Sequence, residues 1–171
     1  GEFLKLIREY GITSFFIGSI SPEGCGYGLE SERVEQADVA SIPDGMAALS
    51  RDGLNRLGKP ERELLPGLLR DHAPPDLSTN IPSVAVDADY NVYPNTAEPA
   101  AWWRLGNLKT DGVDAIMKAY RDGTAPGMIA NRSIPTSELA RRYGNPDSAK
   151  LYEKEDLLRR LMHEWGMDHH Q

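Results

Sequence analysis

The residues best equipped for chemistry lie in the run Glu98-Pro99-Ala100-Ala101-Trp102-Trp103-Arg104. Indole faces stack on planar or cationic groups, and a guanidinium grips a carboxylate through two parallel hydrogen bonds. Glu98, Trp102, Trp103 and Arg104 are therefore the substrate-side candidates. Paired tryptophans also lock a loop onto a small core, and core packing is the simpler reading of the pair. A second candidate is Gly18-Ser19-Ile20-Ser21-Pro22-Glu23-Gly24, which follows a predicted strand. In parallel α/β folds ligands settle beyond the C-terminal ends of strands, and the N–H groups and Ser hydroxyls of a glycine-rich turn hold a carboxylate or ribose. An ordinary connector has the same composition.

The remaining reactive side chains carry less. Cys25 sits between two glycines, but Glu23 nearby opposes the electropositive setting a nucleophilic thiolate needs. His163, His169, His170 and Asp168 lack the i, i+4 spacing of a helical metal site. No GxSxG elbow, Walker A loop or GxGxxG turn is present.

Bulk properties narrow the classes. The chain has 171 residues, 40% of them apolar and 26% charged, which is enough to bury a core without disulfides. A net charge of −7 argues against nonspecific nucleic-acid binding, which needs clustered Lys and Arg. Cys25 is the only cysteine, so no intrachain disulfide forms and no cysteine-ligated iron–sulfur cluster is held by this chain alone. No apolar run approaches a membrane span, and no signal peptide opens the sequence. The expected location is cytoplasmic. The sequence starts on a helical stripe of Phe3, Leu4 and Ile7 without an initiator Met, so Gly1 reads as an expression scar or as the start of one piece of something longer.

The elements that must position these residues follow from periodicity. Residues 2–10 read as an amphipathic helix stopped by Gly11, and 12–20 as a buried strand. Residues 21–28 read as a loop, and the acidic stretch 29–40 as a short solvated helix. Met46, Leu49, Leu54 and Leu57 fall at roughly helical spacing. Leu64, Leu65, Leu68 and Leu69 make a further stripe, in which Pro66 marks a first turn or a kink. The three prolines of 72–82 make the best linker. Residues 83–86 and 91–93 flank an Asp-rich turn as a hairpin. Asp111 to Asp122 is a helix, with Thr110 or Asp111 at its start and Gly123 at its end. Thr136 caps a helix to Tyr143, and a last helix spans about 153–165.

The order of these pieces resembles the tail of radical SAM enzymes with a SPASM-type C-terminal extension. That extension has a hairpin ending in Val-Tyr-Pro-Cys, then Leu-Gly-Asn-Ile/Leu and a helix. Here the hairpin is VAVDADYNVYPN, followed by Leu105-Gly106-Asn107-Leu108 and the helix from Asp111. Asn95 stands where the family usually has a cluster-binding cysteine. The opening segment, LKLIREYGITSFFIGSISPEGCG, looks like a late helix–strand pair of the family's partial (β/α) barrel.

The resemblance implies an α/β to α+β chain, mostly helical. Residues 1–72 would be the late part of a barrel-like domain, 73–82 a linker, and 83–171 a SPASM-like hairpin with helices. A full-length member holds a [4Fe–4S] cluster in a CxxxCxxC loop and cleaves S-adenosylmethionine there to a 5′-deoxyadenosyl radical. That loop is absent here, so neither group is held by this chain and no catalytic residue is assigned. The expected role is barrel closure and a substrate-pocket wall. Ser19, Ser21 and Glu23 would face the cofactor, and Glu98, Trp102, Trp103 and Arg104 the substrate. The expected partner is an N-terminal barrel or a partner chain, with a peptide or small molecule as substrate. A freestanding, non-catalytic peptide- or protein-binding module is the alternative.

Overall fold

The computed structural model describes residues 2–15, 17–19, 24–50, 54–75, 83–94 and 100–170; the side chains of 24–27 and of 49 lie outside that description. Within these residues the chain is mostly helical, with two small antiparallel sheets. Helix α1 spans Glu2–Glu9, α2 Gln36–Val39 and α3 Asp44–Leu49. Strand β1 (Lys59–Pro60) leads into α4 (Glu61–Leu68). Strands β2 (Val84–Val86), β3 (Asn91–Pro94) and β4 (Gly106–Asn107) form one sheet in that order. Helices α5 (Val113–Asp122), α6 (Pro126–Ser133) and α7 (Thr136–Tyr143) follow, then β5 (Leu151–Tyr152) and α8 (Lys154–His170). No helix among the described residues is long and apolar enough to cross a membrane.

The strongest helical patterns fold near where the periodicity predicts, but α5 starts at Val113 with Gly112 at its cap position rather than Thr110 or Asp111, and α8 runs through Gly166 to His170, past the expected end at about 165. Gly11 and Gly123 follow α1 and α5 at φ +63 each, the left-handed conformation that ends a helix. In α8, Leu157, Leu158, Leu161 and Met162 form the buried stripe, with Leu157 and Leu161 fully inaccessible. Each such leucine contributes roughly 1.5–3 kcal/mol of burial. Residues 55–57 form a separate 3₁₀ turn, so the stripe from Met46 to Leu57 is two pieces rather than one helix. Pro66 sits inside α4, which ends two residues later.

Three expectations change. Among the described residues, 12–19 make no strand: Phe15 forms one isolated parallel bridge, to Ser50. An apolar run becomes a strand only where neighbours complete its ladder. Thr136 is the first helical residue rather than the cap. The carbonyls of Ala73 and Asp71 accept from the N–H groups of Thr136 and Ser137 at 2.9 and 2.8 Å, so backbone does the capping. The acidic stretch is not simply solvated. Residues 24–32 form a 3₁₀ helix, from which Glu30 reaches inward to Arg33, while Arg33 itself is 2% exposed.

One hydrophobic cluster joins the two sides of the proline-rich stretch. Leu65 and Leu68 come from before it; Tyr93, Trp102, Trp103, Leu139, Tyr152 and the α8 leucines come from after it. The tryptophan rings rest on glycines. A Cβ on Gly166 would lie 2.2 Å from Trp102 Cζ2, and one on Gly127 2.5 Å from Trp103 Cδ2. By contrast, a Cβ on Gly67, exposed on α4, meets nothing within 4 Å.

This contrast is testable by chemical denaturation. Gly166→Ala is expected to destabilise the chain by about 1–3 kcal/mol, because the buried indole must shift. Gly67→Ala is expected to stabilise it by about 0.5–1 kcal/mol through helix propensity. Equal effects at the two sites would contradict the packing described.

Candidate functional site

The hairpin of β2 and β3 pairs Val84 with Pro94, Ala85 with Tyr93 and Val86 with Val92. Its turn is organised by Asp87. Asp87 Oδ1 accepts from the N–H groups of Asp89 and Asn91, both at 2.9 Å. Oδ2 accepts from Asn91 Nδ2 at 3.0 Å and from the Tyr93 hydroxyl at 3.1 Å. The Asn91 amide is the main cause that holds the Asp87 carboxyl below its ordinary range, helped by backbone N–H groups and the Tyr93 hydroxyl. Burial, and then the bond to Asp87, pushes the Tyr93 phenol upward.

Tyr90 closes the turn at φ 68, and it is the one non-glycine residue with positive φ among those described. A tyrosine in the left-handed region costs about 1 kcal/mol or more. The residue stays 45% exposed, with the Lys109 ammonium 3.8 Å from the ring centroid.

Asn107 ties the hairpin tip to α5. Its Nδ2 donates to the Asp89 carbonyl and to Asn91 Oδ1, each at 2.9 Å. Its Oδ1 accepts from Lys109 N–H at 2.8 Å, and its own N–H donates to Asp111 Oδ2 at 2.8 Å. Gly106 lets the helix come close: a Cβ there would lie 2.8 Å from Ile116 Cγ1 and 2.9 Å from Asp111 Oδ2. The Leu-Gly-Asn turn thus has a physical reason for its residue types.

Beside this turn opens a cavity of about 630 Å³, lined by Arg104, Asn107, Lys109, Thr110 and Asp111 together with Leu105 and Gly106. Arg104 and Lys109 bring positive charge to it. Asp111 brings negative charge, but its Oδ2 is taken up by the Asn107 N–H.

The sequence-predicted residues separate accordingly. Arg104 lines the cavity. Trp102 and Trp103 are buried, 5.1 Å apart between ring centroids, and belong to the core. Ser19 Oγ accepts from Arg33 Nη1 at 2.7 Å and donates to the Leu151 carbonyl at 3.2 Å, so its hydroxyl braces β5. Ser21, Glu23, Asn95 and Glu98 lie outside the described residues. Cys25 falls within the 3₁₀ helix Gly24–Glu32, and its side chain lies outside the description. Asn107 belongs to the Leu-Gly-Asn-Leu motif, whereas neither type nor spacing marks Tyr90 and Lys109 in the sequence. The signal for Tyr90 was a large residue at the end of an Asp-rich turn.

Among the described residues no group of three or more His, Cys, Asp or Glu is placed to hold a metal ion. With Cys25 as the only cysteine, the chain's residues do not fit a thiolate-bound iron–sulfur cluster. His169 and His170 serve packing: His169 stacks on Trp165 at 4.5 Å and His170 on Trp102 at 5.7 Å. No protein-family model, no curated protein and no solved structure matches the chain.

Asp87 sets the acid response of this unit. Its lowered carboxyl stabilises the fold above the ordinary carboxylate range, and that contribution is lost as pH falls through the depressed value. The denaturation midpoint of the wild type is expected to drop below about pH 4. In Asp87→Asn this part of the acid dependence should disappear. An unchanged acid slope in the variant would refute the assignment.

Proposed function

We propose that this chain is the C-terminal region of a radical SAM-type enzyme, acting in barrel closure and as a substrate-pocket wall. The observation that carries the reading is the hairpin–turn–helix unit. The residues that resemble the family's extension, Asp87, Asn91, Gly106, Asn107 and Asp111, are also those that bond or closely pack the unit together. The radical chemistry would belong to the barrel, which would bring S-adenosylmethionine and a [4Fe–4S] cluster. This chain would contribute Arg104 and Lys109 on the substrate side.

A second reading is a freestanding, non-catalytic peptide- or protein-binding module. One observation favours it: Phe3 and Leu6 on α1 and Tyr10 in the turn just after it stand exposed at i, i+3 and i+7.

The coding sequence directly upstream, or an adjacent gene, is expected to encode a CxxxCxxC loop in a partial barrel. Anaerobic reconstitution of residues 1–171 alone with iron and sulfide should give no sulfide-to-iron absorption band. The same treatment of this chain bound to that barrel should give the band and reductive cleavage of S-adenosylmethionine. A genome without the motif, or a cluster formed by this chain alone, sinks the proposal. The binding-module reading then stands.

A further inference from the structure

We infer that the cavity beside the Leu-Gly-Asn turn is a carboxylate subsite, in which Arg104 and Lys109 hold the anionic end of a peptide or small acid. This deepens the substrate-wall reading and rests on it for its biological setting. Its chemistry rests on the cavity alone.

Charge is the first support. Two cations and one carboxylate line the cavity, and that carboxylate already accepts the Asn107 N–H at 2.8 Å. The lining is therefore biased toward an anion. Arg104 offers the planar fork that matches a carboxylate, and Lys109 offers a point charge. Thr110 adds a hydroxyl at the same wall.

Preorganisation is the second. A free lysine side chain carries rotamer entropy, which ligand binding would otherwise have to overcome. Here the Lys109 ammonium already sits 3.8 Å from the centroid of the Tyr90 ring. Its backbone N–H is anchored by Asn107 Oδ1 at 2.8 Å. A cation resting on a ring keeps its N–H groups away from the ring free to donate.

Strain is the third. The Tyr90 position has φ 68, where glycine or asparagine is the comfortable residue. The Tyr90 backbone does the work of the turn: its N–H donates to the Asp87 carbonyl at 3.1 Å and its carbonyl accepts from Leu108 at 2.9 Å. Neither bond needs a side chain. The half-exposed ring serves the turn in no described contact other than the one under Lys109. A strained residue whose side chain positions a cation at a cavity is what a binding role would require.

The test is a nuclear magnetic resonance titration of the chain, following the backbone amides of Gly106, Asn107, Lys109 and Thr110. The probes are N-acetyl-glycyl-glycine, its C-terminal amide, and N-acetyl-glutamate amide. Saturable shifts with the first probe and none with its amide are expected. Binding of the third probe would extend the site to side-chain carboxylates, and its failure would restrict the site to chain termini. Arg104→Gln and Lys109→Gln should each weaken binding by about tenfold, the worth of one charge-assisted hydrogen bond. Tyr90→Gly is the discriminating variant. It should leave the fold as stable or more so, because strain is relieved, yet weaken binding. Equal shifts with acid and amide, no saturable shift with either acid, or affinity unaffected by all three substitutions would overturn the subsite. None of these outcomes depends on a barrel, so the subsite can fail while the radical SAM reading survives, and the reverse.

Discussion

The fold depends on one short segment, residues 148–152, held between two others. On one side Gln36 N–H donates to the Ala149 carbonyl and Leu151 N–H to the Val34 carbonyl, at 3.0 and 2.9 Å. On the other, β1 pairs Lys59 with Tyr152 and Pro60 with Leu151, and Glu61 N–H donates to the Lys150 carbonyl at 2.9 Å. This ladder brings residues from three distant parts of the chain together. Gly58, at φ +80, makes the approach possible, since a Cβ there would lie 2.0 Å from the Tyr152 carbonyl oxygen.

The side chains at this crossing explain why the arrangement is specific. The Tyr152 ring has the Arg33 guanidinium 4.1 Å from its centroid and Arg160 at 5.4 Å, and its hydroxyl bonds Glu30. Burial holds the Tyr152 phenol protonated far above the ordinary tyrosine range, with Arg160 opposing. Arg160 also pairs with buried Glu61, which accepts in turn from the Asn145 N–H at 2.8 Å. Burying such ions costs several kcal/mol each, and their attraction roughly offsets that cost. Their contribution is therefore to position. A packing that left Glu61 or Arg160 without its partner would cost about 3–5 kcal/mol, which excludes alternative dockings of α4 on α8.

The hairpin unit follows a different logic. Its order comes from short polar side chains acting on nearby backbone, within the reach of a few residues. Asp87 shapes the turn, Asn107 ties the turn to α5, and Gly106 sets the distance between strand and helix. The tryptophans behind it supply bulk: Trp102 packs against Gly166 and Trp165, and Trp103 against Gly127. With the indoles occupied in the core, Arg104 is the member of the Trp-Trp-Arg run that lines the cavity.

The sequence by itself determined what local forces control. Helices α1, α5 and α8 have 3.6-residue apolar stripes, α1, α5 and α7 have recognisable stops, and the hairpin has its Asp-rich turn. In each case the informative residues lie within a few positions of one another. The sequence also shows that this chain alone, with Cys25 as its one cysteine, has too few thiolates for a cysteine-ligated cluster. The tertiary structure decided the rest, because the deciding partners are far apart in the chain. Among the described residues of 12–19 it left one bridged position, Phe15, where a strand was expected, for want of a completed ladder. It buried Arg33 and half-buried Glu30 by placing Tyr152 beside them, although an acidic run ordinarily reads as solvated. It buried Trp102 and Trp103 against glycines whose permissiveness shows only when a ring lies on them. It also placed Lys109, from the turn after β4, over Tyr90 at the hairpin tip, and set Lys109 with Arg104 at the wall of one cavity.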